Sequence, residues 1–212
     1  SYNLLSAARS AGTKRVIITS SAGASEKRPI LSPYIMSKSA MERVGLGFSQ
    51  GFRQDVRIIR LMNNYGPRQS ARAVIPTIIS QALKRDDVHL GAIEPKMDFN
   101  FVSDTVTALL RTAETEKPVE KILTWGTGVS VSIRELTERI FSIIGKKGLH
   151  IVTEEERVRQ SPLNVISLDE DIMFTHDFLG MLPAFSLDEG LEITIDWISK
   201  HLDRYKTEKY TI

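Results

Sequence analysis

Short runs of β-branched and aliphatic residues alternate with segments of helical period along this chain. That alternation limits its fold more than any other feature, because a strand–helix–strand order leads to a parallel sheet covered by helices. Val16-Ile17-Ile18-Thr19 reads as a buried parallel strand. Ser32-Pro33 supplies an N-cap followed by proline at the first helical position. It opens a helix to about Gly51, with Ala40, Val44 and Phe48 on one face. Val56 to Arg60 is a second strand, and Asn63 to Arg72 a loop around Gly66-Pro67. A helix from about Val74 to Lys84 and a strand near Val88-Leu90 follow. Phe99 to Val102 is extended, Ser103-Asp104 caps a helix to about Glu116, and Lys121 to Trp125 is a strand ending at Gly126-Thr127-Gly128. Ser132 with Glu135 forms a capping box that opens a helix to about Ile144. Leu149 to Val152 is a strand and Glu154 to Arg159 a charged loop. A final amphipathic helix, about Leu187 to Tyr205, turns Leu191, Ile195, Ile198 and Leu202 toward a core.

Composition narrows the function classes. The 212 residues are 42% hydrophobic and 25% charged, an ordinary globular balance. With no cysteine, thiol catalysis, cysteine-ligated zinc and disulfides are excluded, and the cytoplasm is the expected compartment. The net charge is only +2, from 28 basic and 26 acidic residues, and no Lys/Arg cluster is interleaved with aromatics. Nucleic acid is therefore not an expected partner. No run of about 18 apolar residues exists, so no membrane span is expected either. The chain opens on SYNLLSAARSAG, which reads as a helix already under way, so an upstream part is expected.

One constellation carries chemistry. Ser20-Ser21 ends the first strand, and Tyr34 and Lys38 lie four residues apart at the start of the following helix. Residues at that spacing share a helical face. A phenol has a pKa of about 10, too high for a base at neutral pH, and a neighbouring ammonium favours its ionised form. A serine at the C-terminal end of a parallel strand lies where α/β sheets bind ligands. Together the three suit proton transfer coupled to hydride transfer at a carbinol carbon. Tyr-x-x-x-Lys is weak by itself, since Tyr205 and Lys209 repeat it in a charged tail that reads as a solvated helix end. By local residues alone, Tyr34 could equally be a packing side chain and Lys38 a surface one.

The surrounding motifs add a resemblance. Thr19-Ser20-Ser21 and Ser32-Pro33-Tyr34 to Lys38 are followed by Arg60-Leu61-Met62-Asn63-Asn64-Tyr65-Gly66-Pro67, which resembles an R-x-x-N-x-Y-G-P signature. Asp98-Phe99-Asn100-Phe101-Val102-Ser103-Asp104 resembles D-F-x-[YF]-V-x-D, and Thr124 to Gly128 resembles a late glycine turn. With these segments the chain resembles the extended short-chain dehydrogenase/reductase family, in its NAD-dependent epimerase/dehydratase branch acting on nucleotide sugars. The resemblance implies an α/β fold: a partial Rossmann-like parallel sheet from residues 1–66 and 98–128, and a small α/β substrate-binding region from 67–97 and 129–212. It implies NAD or NADP as cofactor, a nucleotide sugar as substrate, and a homodimer formed through about Asn3 to Ser10 and Tyr34 to Ser49. Tyr34 would be the base, Lys38 would hold the nicotinamide ribose, Ser21 would bond the sugar hydroxyl and Ser20 would lie near the cofactor. Asn63 would contact the substrate and Arg159 its diphosphate. Asn63 as a loop brace and Arg159 as a surface charge remain the alternatives.

Three departures from the family pattern matter. No glycine-rich βα turn of the kind that cradles a pyrophosphate occurs in these residues. Met97 stands where the family has arginine before D-F, with Lys96 as the nearby point charge. The loop between Ser21 and Tyr34 is shorter than the family's and lacks its Tyr-Gly; Ala22 and Gly23 stand there where the resembled dehydratases carry an acid and a base, and Glu26 lies several residues beyond. Simple hydroxyl/ketone redox chemistry at C4, epimerisation or ketone reduction, is therefore favoured over dehydration. A non-catalytic module that binds a sugar nucleotide or a partner is the competing reading.

Overall fold

The computed structural model describes residues 1–28, 32–119, 121–154 and 168–205. Arg159 and Lys209 lie outside these described residues. The described chain falls into two compact units, one built from Ser1–Met62, Ser103–Gly128 and residues 168–183, the other from Asn63–Val102 and residues 129–154 and 184–205.

The first unit contains α1 (Tyr2–Ser10), β1 (Arg15–Ser21), a 3-10 turn (Ala22–Ala24), α2 (Pro33–Phe52) and β2 (Asp55–Leu61). The strands β1 and β2 pair in parallel over their full length, Arg15 against Asp55 through Ser21 against Leu61. The β-branched run dictates this, since a strand covered on both faces needs apolar side chains in both directions. Ile58 packs with Leu5, Ile18, Phe48 and Val56 on the side of α1 and α2. Ile59 turns the other way, toward Ala108, Leu123 and Trp125. That second face is covered by a helix from the chain's middle, Val102–Glu114, and by Asp169–Leu179; β2 also pairs in parallel with the short strand Leu123–Trp125.

The second unit continues the numbering: β3 (Asn63–Tyr65), α3 (Val74–Lys84), β4 (Asp87–Leu90) and β5 (Lys96–Phe101). The helix Val102–Glu114 is α4 and the strand Leu123–Trp125 is β6. Then come β7 (Ser130–Ser132), α5 (Ile133–Ile144), β8 (His150–Thr153), α6 (Asp169–Leu179) and α7 (Leu187–Lys200). In the second unit β3 and β4 pair in parallel with β5 and β8, while β7 is antiparallel to β5. Helices α3, α5 and α7 pack on one another around Ile78, Ile79, Leu136, Ile140, Leu191 and Ile198.

The α/β reading with parallel pairing holds, and the capping box at Ser132 and Glu135 forms as expected, with both reciprocal hydrogen bonds present. Several local expectations are corrected. The face that α2 turns inward carries Glu42, Gly45 and Phe48, whereas Ala40 is exposed. Gly45 sets that face: a Cβ there would stand 2.8 Å from Ile18 Cδ1, so only glycine lets the helix approach the strands this closely. The antiparallel strand β7 and the helix α6 were not expected. Both are short and mixed in polarity, and they gain definition from neighbours, β5 for one and the Trp125 cluster for the other. Asn63 opens a strand where a loop was expected, and Ser103 and Asp104 lie within the first turn of α4, which starts at Val102. The last helix ends at Lys200, with a separate 3-10 turn at Leu202–Arg204.

A buried arginine closes the far side of the first unit. The Arg57 guanidinium donates to the carbonyls of Thr112 and Thr115, both at 2.7 Å, at the C-terminal end of α4, and its Nε donates to Asp55 at 3.0 Å. Carbonyls at a helix C-terminus have no intrahelical partner, and a cation there also meets the negative end of the helix dipole. Burial pushes the Asp55 carboxyl up, but hydrogen bonds from Arg57 and Arg15 outweigh it and hold Asp55 below the usual carboxylate range. Arg57→Met is expected to destabilise the fold by about 3 kcal/mol, because it strips donors from buried carbonyls and unpairs Asp55. Urea unfolding checks this, with faster amide exchange at the end of α4 as the local signature.

Candidate active site

The site is assembled in the first unit by three consecutive local decisions. The strand β1 ends at Ser21, whose Oγ accepts a hydrogen bond from the Gly23 amide at 3.3 Å and so starts the 3-10 turn. Ser32 then caps α2, its Oγ accepting from the Ile35 amide at 3.2 Å, with Pro33 at the first helical position. The first turn of α2 packs on the 3-10 turn, since a Cβ on Gly23 would stand 2.4 Å from Ile35 Cδ1. The residues flanking Ser21 and Tyr34 are therefore in contact, although 13 positions separate the two in sequence.

Tyr34 projects from that first turn with 57% of its surface exposed. Lys38 follows one turn later, and its Nζ donates to the Thr19 carbonyl at 3.0 Å, tying the helix to the end of β1. The ammonium lies 5.8 Å from the centre of the Tyr34 ring, a cation over an aromatic face. Ser37 Oγ donates to the Tyr34 carbonyl at 2.7 Å. Ser20 is only 4% exposed, and its Oγ has no hydrogen-bond partner among the described residues. A buried hydroxyl without a partner carries a desolvation cost that a polar ligand would relieve.

The structure thus gathers Ser20, Ser21, Tyr34 and Lys38 into one unit. Asn63 belongs to the other unit, on β3, where its Nδ2 donates to the Asp98 carbonyl of β5 at 3.1 Å. That bond is the bracing role open to an asparagine, and it leaves the side-chain carbonyl and one N–H proton for another partner. Arg159 lies outside the described residues. Lys96, the point charge beside Met97, lines a shallow groove with Glu135, Glu138 and Arg139.

Glu42 beside the site was not anticipated, nor was the pairing of Glu26 with Arg60. Glu42 is one turn past Lys38 on α2 and is buried against Arg60. Glu26, in the loop after the 3-10 turn, also accepts from Arg60, at 2.8 Å. The spacing Tyr34, Lys38, Glu42 repeats every four residues and could have signalled one continuous helical face. Glu26 carried no such signal, because its partner is 34 positions away. A backbone amide hydrogen bond and the Arg60 guanidinium hold the Glu26 carboxyl below its ordinary range. A depressed carboxylate contributes stability that is present above the unfolded-state pKa and lost as pH falls through the lower folded value. Glu26 is therefore expected to keep its tie to Arg60 from neutral pH down to about 4.3, the ordinary glutamate value, and to lose it only below that. NMR titration of the Glu26 carboxyl with amide exchange across the loop checks this.

The sequence pattern of the NAD dependent epimerase/dehydratase family matches residues 1–124. Among curated relatives, GDP-L-fucose synthase of Escherichia coli is 26% identical over 196 residues, covering 84% of this chain and 59% of that protein. The dTDP-D-glucose 4,6-dehydratase of Mus musculus is 28% identical over 186 residues, covering 86% and 51%. The chain thus spans about half to three-fifths of the length of these relatives. The crystal structure of UDP-glucuronic acid 4-epimerase from Bacillus cereus, in complex with UDP-glucuronic acid and NAD, aligns with a TM-score of 0.82 at 24% identity. It covers 94% of this chain and 66% of that one, and at that identity it speaks for the fold. UDP-glucose 4-epimerase from Thermotoga maritima, with UDP-glucose, aligns at 0.76 and 26% identity over 94% and 68%.

Proposed function

Because the chain belongs to the NAD dependent epimerase/dehydratase family, we propose that it serves NAD(P)-linked redox chemistry on a nucleotide sugar, at the C4 hydroxyl or ketone, by epimerisation or ketone reduction. The observation that carries this reading is the exposed Tyr34 phenol on a helix turn packed against the turn that follows Ser21, with Lys38 tethered to the end of the same strand. Relatives with the matching pattern act on GDP-, dTDP- and UDP-sugars by their names, which leaves the sugar and base of this chain open to assay.

The residues present fit the nicotinamide end of a dinucleotide. Lys38 would hold its ribose: the bond to Thr19 uses one ammonium proton and leaves two. Ser20, with its buried and unpartnered hydroxyl, fits a polar group of the cofactor. When bound, the dinucleotide supplies the hydride acceptor and donor. In this reading Tyr34 takes the proton of the sugar hydroxyl as the carbinol is oxidised, and returns it when the ketone is reduced. Ser21 already accepts from the Gly23 amide, so its own proton is left for the substrate oxygen. By the family resemblance Asn63 would contact the sugar or the diphosphate, and Arg159 would pair with the diphosphate through its forked guanidinium.

Dehydration is disfavoured on two grounds. Ala22 is buried and Gly23 has no side chain, so neither can move a proton. Glu26, the nearest carboxylate in sequence, is engaged by Arg60. Tyr34→Phe is expected to lower turnover by about a hundredfold or more, the usual contribution of a positioned acid–base group. The assay is NMR of products from a panel of nucleotide sugars with the protein as encoded. Full activity in the Tyr34→Phe variant would remove Tyr34 from the site, and a 4-keto-6-deoxy product would overturn the C4 redox assignment.

A homodimer through α1 and α2 is part of the same proposal, with the cytoplasm as the compartment. Tyr2 and Leu4 on α1 and Met36 and Phe52 on α2 are exposed apolar side chains, and a second copy would cover part of them. Among the described residues no helix is long and apolar enough to cross a membrane. Light scattering is expected to give twice the chain mass, and Met36→Glu with Leu4→Glu to give a monomer; a monomeric mass for the parent at high concentration would refute the dimer.

A further inference from the structure

Beside the candidate site lies a buried ion pair that no proton-transfer step uses. Arg60 and Glu42 have side chains only 6% and 5% exposed. Arg60 Nε donates to Glu42 Oε1 at 2.9 Å and Nη2 to Oε2 at 2.8 Å, a forked pair. The same Nη2 also donates to Glu26 at 2.8 Å and to the Ala24 carbonyl at 3.4 Å. Each partner is attached to something the reaction needs. Glu42 is one turn beyond Lys38 and two beyond Tyr34 on α2, while Ala24 and Glu26 belong to the segment that leaves Ser21. Arg60 itself lies opposite Ser20 in the parallel register.

We propose that Arg60 and Glu42 are positioning residues: the buried pair sets α2, and with it Tyr34 and Lys38, against the Ser20–Ser21 strand end and the turn after it. This rests on the reading of Tyr34 and Ser21 as the reacting groups. Stability alone does not account for the pair. Two buried charges lose hydration that their attraction barely restores, and apolar residues of similar volume in such places are often as stable or more so. What an apolar pair cannot supply is direction. Two parallel N–H···O bonds fix the plane of the guanidinium, and that plane aims the remaining contacts at the loop. Proton and hydride transfer are sensitive to such placement, since an error of about 1 Å can cost a hundredfold in rate.

The test uses Arg60→Lys, which keeps the charge and loses the fork, and the double variant Arg60→Met with Glu42→Leu, which keeps the volume and removes both charges. The double variant is expected to fold with a Tm close to the parent's. Its kcat on the preferred nucleotide sugar should fall about tenfold or more, with KM changed by less than about threefold. Arg60→Lys is expected to show the same kcat loss, which charge alone would have prevented. Amide exchange gives a readout independent of turnover: residues 22–26 and 34–38 should exchange faster in the double variant while 56–59 do not. Parent-like kcat and parent-like exchange in a folded double variant would overturn the proposal. A parent protein inactive on every nucleotide sugar would overturn the functional reading instead, with the exchange pattern still deciding the positioning role.

Discussion

The parallel register between β1 and β2 is the constraint on which the first unit depends. It sets Ser20 beside Arg60 and Ser21 beside Leu61, so both strands finish at the same edge of the sheet. Parallel strands cannot be joined by a tight turn, so the chain must cross over, and α2 is that crossover. The helix that carries Tyr34 and Lys38 thus follows from the pairing, and the strand end that carries the serines lies where its first turn comes down.

Two arginines three residues apart on β2 show how a period of two distributes charge across a buried sheet. Arg57 and Ile59 face α4, while Ile58 and Arg60 face α2. Each guanidinium is buried and each meets carboxylate and carbonyl oxygens, yet the two differ in what they hold. Arg57 gathers the last carbonyls of α4, near the start of β2 and away from the C-terminal strand ends. Arg60 joins the helix and the loop on either side of the candidate site. A strand buried on both faces tolerates an arginine only where such partners converge, because an unpaired charge there would cost several kcal/mol.

Placing Glu26 and Glu42 on Arg60 also bears on the choice of reaction. Sequence position alone leaves Glu26 a possible displaced acid. Its hydrogen bond to the guanidinium and the backbone amide bond that lowers its pKa make it a poor proton donor at neutral pH. On the proposed reading the tyrosine, the lysine and the two serines remain, a set suited to moving one proton at one carbon.

The elements with strong local signals were readable in the amino-acid order alone. The β-branched runs at Val16 and Val56, the caps at Ser32 and Ser132 and the spacing of Tyr34 and Lys38 all concern residues within a turn or two of each other, where sterics and local hydrogen bonds decide. What the order of residues could not determine was which distant groups would meet. Glu42 reads as a surface charge on a helix until it is set against Arg60, and Gly45 as a weak point until Ile18 and Ile58 press on it. β7 and α6 likewise carry little preference of their own and take shape from β5 and the Trp125 cluster. Local propensity is written in neighbouring residues, whereas burial and charge pairing depend on contacts across tens of positions, and those exist only once the chain has folded.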